Sequence, residues 1–241
     1  MKRTVVWFSC GCASAVASYL CRDVENLHIV YCDTGGEHPD NKRFLGDVER
    51  WLDKKINILK QDKYKDHFDV CKKERWINGP SGARCTTELK KVQRFKYQQA
   101  DDIQVFGYVV NERNRADRFV ASFPEVNAKF PLIENNLTKE NCIGLIEKMG
   151  IKIPAMYLLG FKNNNCIGCV KGGMGYWNHI RKHFPESFNQ MMKIEREIGS
   201  SCIKGTFLDE LEADRGEQIN EPDISCDFVC QSIIEKYKGG R

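Results

Sequence analysis

The sequence near the amino terminus reads Thr4-Val5-Val6-Trp7-Phe8-Ser9-Cys10-Gly11-Cys12-Ala13-Ser14-Ala15-Val16-Ala17-Ser18. A short apolar run opens it and predicts a buried strand. Small residues then break the run, and an Ala- and Ser-rich stretch with Val16 and Leu20 one turn apart predicts a helix. A strand, a tight turn and a helix amino terminus form a geometry that binds anions, because backbone N–H groups and the helix dipole point out of the first turn. The stretch therefore predicts a phosphate site over Ser9, Cys10, Gly11, Cys12, Ala13 and Ser14.

The same residues also fit a secretory signal. Met1-Lys2-Arg3, the apolar run and the small residues 13–17 follow the order of such a signal. However, polar and small residues interrupt the run at 9–12, and a second strand pattern follows at 27–32. We therefore favour the phosphate site.

Composition limits the classes of protein that fit this chain. Its 241 residues suffice for one large or two small domains, and no apolar run has transmembrane length, so we expect a soluble, cytoplasmic protein. The net charge of +4 suits small anionic substrates and leaves RNA or DNA open. Twelve cysteines indicate metal or redox chemistry rather than structural disulfides. We expect four of them to be ordinary buried residues: Cys21, Cys71, Cys142 and Cys202.

Strand and helix patterns alternate along the first half of the chain. Strand patterns fall at 4–9, 27–32, 56–59 and 103–109, and helical patterns at 13–22, 39–52, 65–75 and 86–100. This alternation predicts an α/β fold with a doubly wound, mainly parallel sheet. Ligands of such sheets bind at the carboxyl ends of the strands, where the loops 9–14, 33–39 and 107–118 lie. We expect this core over residues 1–135 and a Cys-rich, mainly helical region packed on it over 136–241, in which Thr138 caps a helix that Gly150 ends.

Two of these loops carry candidate binding residues. Asp33 could bind ribose, the adenine edge or a metal, or it could simply form the turn before Thr34 and Gly35. Three arginines follow the fourth strand pattern, and they could hold phosphate or sulfate through bidentate hydrogen bonds or form a solvated helix face paired with neighbouring carboxylates. These arginines are Arg113, Arg115 and Arg118. Cys10 and Cys12 could be activated nucleophiles, or residues small enough for the turn.

A cysteine-containing turn, here called the cysteine elbow (residues 163–173), is the candidate metal site. Cys166 and Cys169 have the Cys-x-x-Cys spacing of zinc and iron–sulfur ligands. A thioredoxin-like redox pair has the same spacing but needs a strand-then-helix context that is absent here. Further ligands could come from Cys85, at a predicted helix start, and from Cys226 or Cys230. The alternative is that these thiols are separate and unligated.

Together these residues resemble the phosphoadenosine-phosphosulfate (PAPS) reductase family of the PP-loop (N-type ATP pyrophosphatase) superfamily. The family's phosphate loop reads Ser-Gly-Gly-x-Asp-Ser, where this chain has Ser9–Ser14. Its Asp-Thr-Gly loop corresponds to Asp33-Thr34-Gly35, and its substrate-binding arginines to the segment from Gly107 to Arg118. The resemblance implies an adenine nucleotide alpha-hydrolase-like fold and a bound adenine nucleotide, which is ATP, adenylyl sulfate (APS) or PAPS, with Mg as a further candidate. It is strongest to the phage- and bacteria-encoded subgroup with the Cys166-Ile-Gly-Cys169-Val-Lys-Gly-Gly sequence.

The chain departs from the family at three points. Ala13 replaces the loop aspartate and Cys10 replaces a loop glycine. The Glu-Cys-Gly-Leu-His motif that carries the nucleophile of the reductases is absent, so no catalytic residue is assigned. Cluster-bearing relatives that reduce adenylyl sulfate use a Cys-Cys pair plus Cys-x-x-Cys. Cys85 is single, so the resemblance implies a fourth ligand from Cys226 or Cys230.

Two hypotheses follow for the function. In the first, the protein is an enzyme with an adenine nucleotide on the loop and a [4Fe–4S] cluster on the cysteines, and it reduces a sulfonucleotide or transfers sulfur in an ATP-dependent reaction. An electron donor protein, or a tRNA or DNA acceptor, would then be a partner; a membrane is not expected, and an oligomer is left open. In the second, it is a non-catalytic nucleotide- or nucleic-acid-binding protein with a structural zinc.

Overall fold

A parallel sheet of five strands organises the first part of the chain. The computed structural model describes residues 2–80, 82–221 and 224. The strands are β1 (Thr4–Phe8), β2 (Leu27–Cys32), β3 (Ile56–Leu59), β4 (Ile103–Val105) and β5 (Asn127–Lys129), in the order β3-β2-β1-β4-β5. Every adjacent pair is parallel, and Val6 of β1 lies opposite Ile29 on one side and Val105 on the other. The predicted doubly wound α/β fold is confirmed.

Helices connect and follow these strands. Their bounds are α1 (Cys12–Leu20), α2 (Asn41–Leu52), α3 (His67–Glu74), α4 (Arg84–Thr86), α5 (Val92–Tyr97), α6 (Arg113–Ser122), α7 (Pro131–Glu134), α8 (Lys139–Lys148), α9 (Ala155–Leu158), α10 (Met174–His183) and α11 (Pro185–Ile198). A π-helical segment, Thr87–Lys91, joins α4 to α5. The predicted cap of α8 is confirmed, since the Asn141 N–H donates to Thr138 Oγ1 at 3.2 Å. No helix in the described part of the chain is long and apolar enough to cross a membrane.

The fourth predicted strand and the fourth predicted helix have bounds in the structure that differ by three or more residues from the predicted ones at one end. The fourth strand was expected over 103–109 but ends at Val105, because the chain leaves the sheet there and enters the loop that contains Gly107. The helix expected over 86–100 begins earlier, at Arg84, ends at Tyr97 and carries the π-helical segment in its middle. Strand β5 has no counterpart in the prediction.

The described chain forms two units, each made of several segments. The first comprises residues 2–33, Pro39–Leu59 and Arg94–Leu158, and it contains the whole sheet. Its core includes Phe8, Val16 and Phe44, which are almost fully buried. The second comprises Thr34–His38, Lys60–Gln93 and the described residues from Leu159 onward. Its core includes Trp177 and Ile194, from the packed helices α10 and α11. The boundary expected at residue 135 stays a prediction.

Candidate functional site

Ser14 closes the turn between β1 and α1 into a ring of hydrogen bonds. Its hydroxyl accepts hydrogen bonds from the Ser9 N–H (3.0 Å) and the Ser9 hydroxyl (3.1 Å), and it donates to the Gly11 carbonyl (2.9 Å). Cys10 adopts a left-handed backbone with φ of 55°, which reverses the chain inside this ring. Gly11 precedes α1, and no side chain caps the helix. The turn therefore leaves the first helical N–H groups to a ligand or to water.

Gly107 brings a second loop against this turn. It follows β4, which lies beside β1, so both loops leave the sheet at the point where strand order reverses. A Cβ at Gly107 would lie 2.8 Å from Ser14 Cα and 3.0 Å from Ser14 N, which is too close for any side chain. Glycine is therefore required for this approach, and the two sequence-predicted loops 9–14 and 107–118 do come together here.

Sequence reasoning missed two side chains near the turn. A Cβ at Gly11 would lie 3.1 Å from the Tyr157 hydroxyl, so this hydroxyl stands over the turn. The Lys139 Nζ lies 5.8 Å from the centre of the Tyr157 ring and places a positive charge in the same region. Both come from segments far along the chain, and no local motif links them to the turn. Charge and hydroxyl are both suited to an anionic ligand.

The thiols of the turn are packing groups in this structure. Cys10 and Cys12 are fully buried in the core of the first unit. Burial raises the pKa of Cys12 to about 12, so this thiol stays protonated at neutral pH. Of the two alternatives left open for Cys12, the structure supports the residue that is small enough for the turn.

Asp33 follows β2 directly and continues its pairing. Its backbone N–H donates to the Leu59 carbonyl at 2.9 Å, which holds the residue at the carboxyl end of the sheet. The side chain is half-buried. This position is compatible with both sequence alternatives, a ligand contact and a turn-forming residue.

The three candidate arginines differ in how firmly they are held. Arg115 is half-buried, pairs with Glu112, and stacks its guanidinium 4.0 Å above the ring centre of Tyr108. Arg113 and Arg118 are exposed on α6, and the Arg118 Nε donates to the carbonyl of its own helix at Asn114. Arg115 is thus preorganised, whereas the other two resemble the solvated helix face.

In the second unit, Tyr176 forms hydrogen bonds to both cysteines of the cysteine elbow. Its buried hydroxyl donates to the Cys166 carbonyl (3.1 Å) and accepts from the Cys169 N–H (2.8 Å). Gly168, between the two cysteines, has φ of 76°, and its carbonyl lies 3.2 Å from His67 Nε2. The elbow is therefore a rigid turn that keeps both cysteines nearly buried, with 7% and 5% of their surface exposed.

Thr34 and Gly35, which the sequence groups with the nucleotide loops, lie beside the cysteine elbow in the second unit. The Thr34 hydroxyl is 3.2 Å from the Cys166 sulfur, and the Ile167 N–H donates to the Gly36 carbonyl at 2.9 Å. Gly35 has φ of 68°, and a Cβ there would lie 2.1 Å from the Lys65 carbonyl oxygen. Only glycine permits this turn.

Cys85 lies at the start of α4, as the sequence predicts. It is half-buried and packs against Tyr64, Val70 and Leu89. In the described part of the chain, no group of three His, Cys, Asp or Glu side chains is arranged to hold a metal ion. The remaining candidate ligands, Cys226 and Cys230, lie outside the described residues.

The segment that leads towards these two cysteines is held against the elbow. The Glu221 carboxylate accepts hydrogen bonds from the N–H groups of Gly173 (2.9 Å) and Gly175 (2.8 Å) at the start of α10. The Asn165 side chain, next to Cys166, donates to the Ile224 carbonyl at 2.8 Å. The chain thus passes directly beside the elbow at Ile224.

The cysteines predicted to be ordinary core residues are confirmed as such. Cys21, Cys71, Cys142 and Cys202 are all buried. Burial raises the pKa to about 11 for Cys21 and Cys142 and to about 12 for Cys71. For Cys202, burial raises the pKa well above its ordinary value. These thiols are protonated and unreactive at neutral pH.

The chain is similar in sequence to an uncharacterised protein of Methanocaldococcus jannaschii, with 22% identity over 208 residues. The match covers 80% of this chain and 47% of that protein, so the chain spans about half the length of the curated relative it matches. Its structure is similar to that of a PAPS reductase from Candida auris in a phosphate complex, with a TM-score of 0.50, 13% identity, and coverage of 69% of this chain and 82% of that chain. No known family model matches the sequence. The chain therefore has a PAPS reductase-like fold.

Proposed function

We propose that this protein is an adenine-nucleotide-binding, iron–sulfur enzyme of sulfur metabolism. The observation that carries the proposal is the turn closed by Ser14, which lies at the switch point of a sheet with a PAPS reductase-like fold. Ligands of open α/β sheets bind at that point, and uncapped N–H groups at a helix start favour phosphate. The Cys-x-x-Cys subgroup of the family stays a prediction.

In this proposal, the phosphates of ATP, APS or PAPS lie on the N–H groups of residues 9–14, and the adenosine lies near Asp33. Arg115 is the best-placed arginine for the anionic end, because its guanidinium is already stacked and paired. Lys139 and Tyr157 are further candidates for phosphate contacts. Ala13 provides no carboxylate in the turn, so Asp33 is the candidate carboxylate for a Mg ion.

The cluster proposal concerns Cys85, Cys166, Cys169 and a fourth cysteine. Since the described residues hold no group of three metal ligands, Cys85 would have to approach the other two cysteines when the cluster binds. Four thiolates suit a [4Fe–4S] cluster or zinc. The fourth ligand is Cys226 or Cys230, both of which lie outside the described residues. Such a cluster would supply electron transfer or hold sulfur for transfer.

Two reactions are compatible with a bound adenine nucleotide and a cluster: reduction of a sulfonucleotide and ATP-dependent sulfur transfer. Reduction of a sulfonucleotide to sulfite consumes two electrons, which an electron donor protein would supply. ATP-dependent sulfur transfer would instead adenylate a tRNA or DNA acceptor with release of pyrophosphate, and sulfide-level sulfur from a separate sulfur donor would then displace AMP. Release of sulfite from APS or PAPS distinguishes the first form from the second, which releases pyrophosphate from ATP only with an acceptor.

Strictly anaerobic purification followed by iron, sulfide and zinc analysis tests the cluster. We expect a brown protein with iron and sulfide in equal amounts. Of the variants Cys226→Ala and Cys230→Ala, the one that removes the fourth ligand should lose most of the iron, whereas the other is its matched control and should retain it. Zinc alone, or no metal, would remove the cluster from the proposal.

Nucleotide binding is tested separately, by calorimetric titration with ATP, APS and PAPS. A bulky side chain at Gly11, such as Gly11→Leu, would meet the Tyr157 hydroxyl and cover the first helical N–H groups. We expect it to abolish binding, and unchanged affinity would eliminate the site.

A second candidate function is a non-catalytic binding protein with a structural zinc. Ala13 favours it, because the turn lacks the carboxylate of the family's phosphate loop. Stoichiometric zinc, nucleotide binding, and no release of sulfite or pyrophosphate would support this candidate over the enzyme.

A further inference from the structure

We infer that Asp40 and Arg43, at the start of α2, are positioning residues for the candidate nucleotide site, because they hold the backbone that carries the Tyr157 hydroxyl over the turn. The inference goes beyond the proposed function and rests on it only in taking this turn as the anion site. All the residues concerned belong to the first unit.

The Asp40 carboxylate binds a segment far along the chain rather than its own helix. Asp40 directly precedes α2, a position at which aspartate usually caps the first N–H groups of the helix, yet its side chain makes no such hydrogen bond. Instead it accepts a hydrogen bond at 2.9 Å from the N–H of Ala155, the first residue of α9. The carboxylate therefore caps α9 and ties it to the start of α2.

Arg43 completes this connection through its guanidinium. Its Nη1 donates to the Lys152 carbonyl at 2.9 Å, and its Nη2 donates to the Ile153 carbonyl at 3.3 Å. Two parallel hydrogen bonds to the Asp40 carboxylate, at 2.7 and 2.8 Å, hold the guanidinium in this orientation. Because the guanidinium is planar and rigid, a bidentate pair on one edge fixes the direction of its other donors. Arg43 and Asp40 thus attach the segment 152–155 to α2.

The attached segment places Tyr157 over the turn. Tyr157 lies two residues after Ala155 within α9, and its N–H donates to the Pro154 carbonyl at 3.0 Å. Its hydroxyl lies 3.1 Å from the position that a Cβ at Gly11 would take. A helix of four residues is not stable by itself, so the position of this hydroxyl depends on the contacts that hold α9.

The start of α2 also contacts the turn itself. The Cys10 sulfur lies 4.0 Å from the Asn41 carbonyl oxygen, and Phe44 is fully buried in the same core as Cys10. The turn and the Tyr157 segment are therefore both held by one short stretch of α2. An anion on the turn would meet two kinds of donor, the first N–H groups of α1 and the Tyr157 hydroxyl, and residues 40–44 set the distance between them.

A double-mutant cycle on ligand affinity tests the inference. Its variants are Tyr157→Phe, which removes the hydroxyl, Arg43→Met, which removes the donors to the segment 152–155, and the two together. Each protein is titrated calorimetrically with ATP, APS, PAPS and pyrophosphate. We expect Tyr157→Phe to weaken binding about tenfold, because it removes a hydrogen bond to a charged group, and Arg43→Met to weaken it by a similar factor. The double variant should bind no more than about twofold more weakly than Tyr157→Phe alone, since Arg43 acts through the hydroxyl. Multiplied losses in the double variant would overturn the inference.

Arg50→Met is the matched control. Arg50 also lies on α2 and pairs with Asp47, but 75% of its side chain is exposed. We expect wild-type affinity from this variant, and losses equal to those of Arg43→Met would overturn the inference. Asp40→Ala, which removes the acceptor of the Ala155 N–H, should behave as Arg43→Met does in the cycle.

Urea unfolding of each variant shows that it is folded before its affinity is compared. If Arg43→Met does not fold, Arg43→Lys takes its place in the cycle, because lysine keeps the charge beside Asp40 but lacks the planar group that reaches both carbonyls. Nucleotide binding that all variants retain at wild-type affinity overturns only this inference. Wild-type protein that binds pyrophosphate but none of the nucleotides contradicts only the proposed function, and the cycle is then decided with pyrophosphate. Wild-type protein that binds neither overturns both.

Discussion

At the scale of single residues, Gly107 decides how closely two loops can approach. Replacing it with alanine places a Cβ 2.8 Å from the backbone of Ser14, which cannot rotate away. We expect Gly107→Ala to lower the free energy of unfolding by about 1–3 kcal/mol, as for other overpacked sites, and to weaken nucleotide binding. Urea unfolding and calorimetric titration measure the two effects.

Gly144→Ala is the matched control for this substitution. Gly144 lies within α8, and a Cβ there meets nothing within 4 Å. Alanine should raise the free energy of unfolding by about 0.5–1 kcal/mol, since it restricts the unfolded chain and favours the helix. If both variants behaved alike, the close approach at Gly107 would not be the cause.

Residues near the candidate site were predictable where they belong to a local pattern. Ser9–Ser14 could be predicted because small residues directly after a strand indicate a tight turn. The Cys166/Cys169 pair could be predicted because two thiols at this spacing indicate metal ligands. In both cases the residues that form the pattern are neighbours in the sequence. Tyr157 and Tyr176 could not be found in this way. Their hydroxyls reach the turn and the elbow only after folding, and an isolated tyrosine has the same appearance as a core residue.

At the scale of elements, one ion pair fastens the starts of β1 and β4. Arg3 donates two hydrogen bonds to Asp102, both at 2.7 Å, and the Gln99 N–H donates a third at 2.8 Å. Burial alone would raise the pKa of Asp102, but these hydrogen bonds outweigh it and hold the pKa below its ordinary value. The pair therefore contributes to stability when the carboxylate is charged.

The pH dependence of this contribution has a definite sign. Because the folded-state pKa is depressed, the contribution is complete above the ordinary pKa of aspartate, about 3.9, and is lost as the pH falls through the lower folded-state value. We expect Asp102→Asn to cost about 2–3 kcal/mol at pH 7 and less at pH 3, measured by urea unfolding. Asp23→Asn, which removes an exposed pair with Arg22, should change little at either pH.

Strand β5 and the π-helical segment escaped prediction for opposite reasons. Strand β5 contains only Asn127, Ala128 and Lys129, none of which favours a strand; it exists because β4 offers backbone partners to the chain beside it. The π-helical segment Thr87–Lys91 lies inside a pattern that predicts an ordinary helix, because a single extra residue in one turn barely disturbs the apolar spacing. By contrast, β1, β2 and β3 carry clear apolar patterns.

At the scale of the whole molecule, the division of the chain was hidden from the sequence. Thr34–His38 belongs with residues 60–93 and with those from 159 onward, although it lies between two strands of the sheet. Such a grouping depends on contacts between segments far apart in sequence, like that between Thr34 and Cys166. Alternation of strands and helices predicts the sheet, but it does not predict which of the connecting loops belong to the second unit.

Removal of the proposed metal should affect the two units differently. A metal held by four cysteines contributes roughly 10 kcal/mol or more, which rivals the stability of a domain. We expect chelation to lower hydrogen-exchange protection in residues 60–93 and 159–221 while β1 to β5 keep theirs. The variant Cys166→Ala/Cys169→Ala, treated in the same way, should show no further change. Equal loss of protection throughout the chain would contradict the prediction.

Cys10 shows that the left-handed turn between β1 and α1 does not require glycine. Its left-handed backbone costs about 1–2 kcal/mol relative to glycine, and its buried side chain recovers a similar amount by filling space that glycine would leave empty. Cysteine and glycine at position 10 should thus give turns of nearly equal stability, and replacing one with the other should cost little free energy of unfolding. A residue other than glycine can therefore hold this torsion angle, so a turn of this kind is better recognised by its backbone geometry than by its residue types.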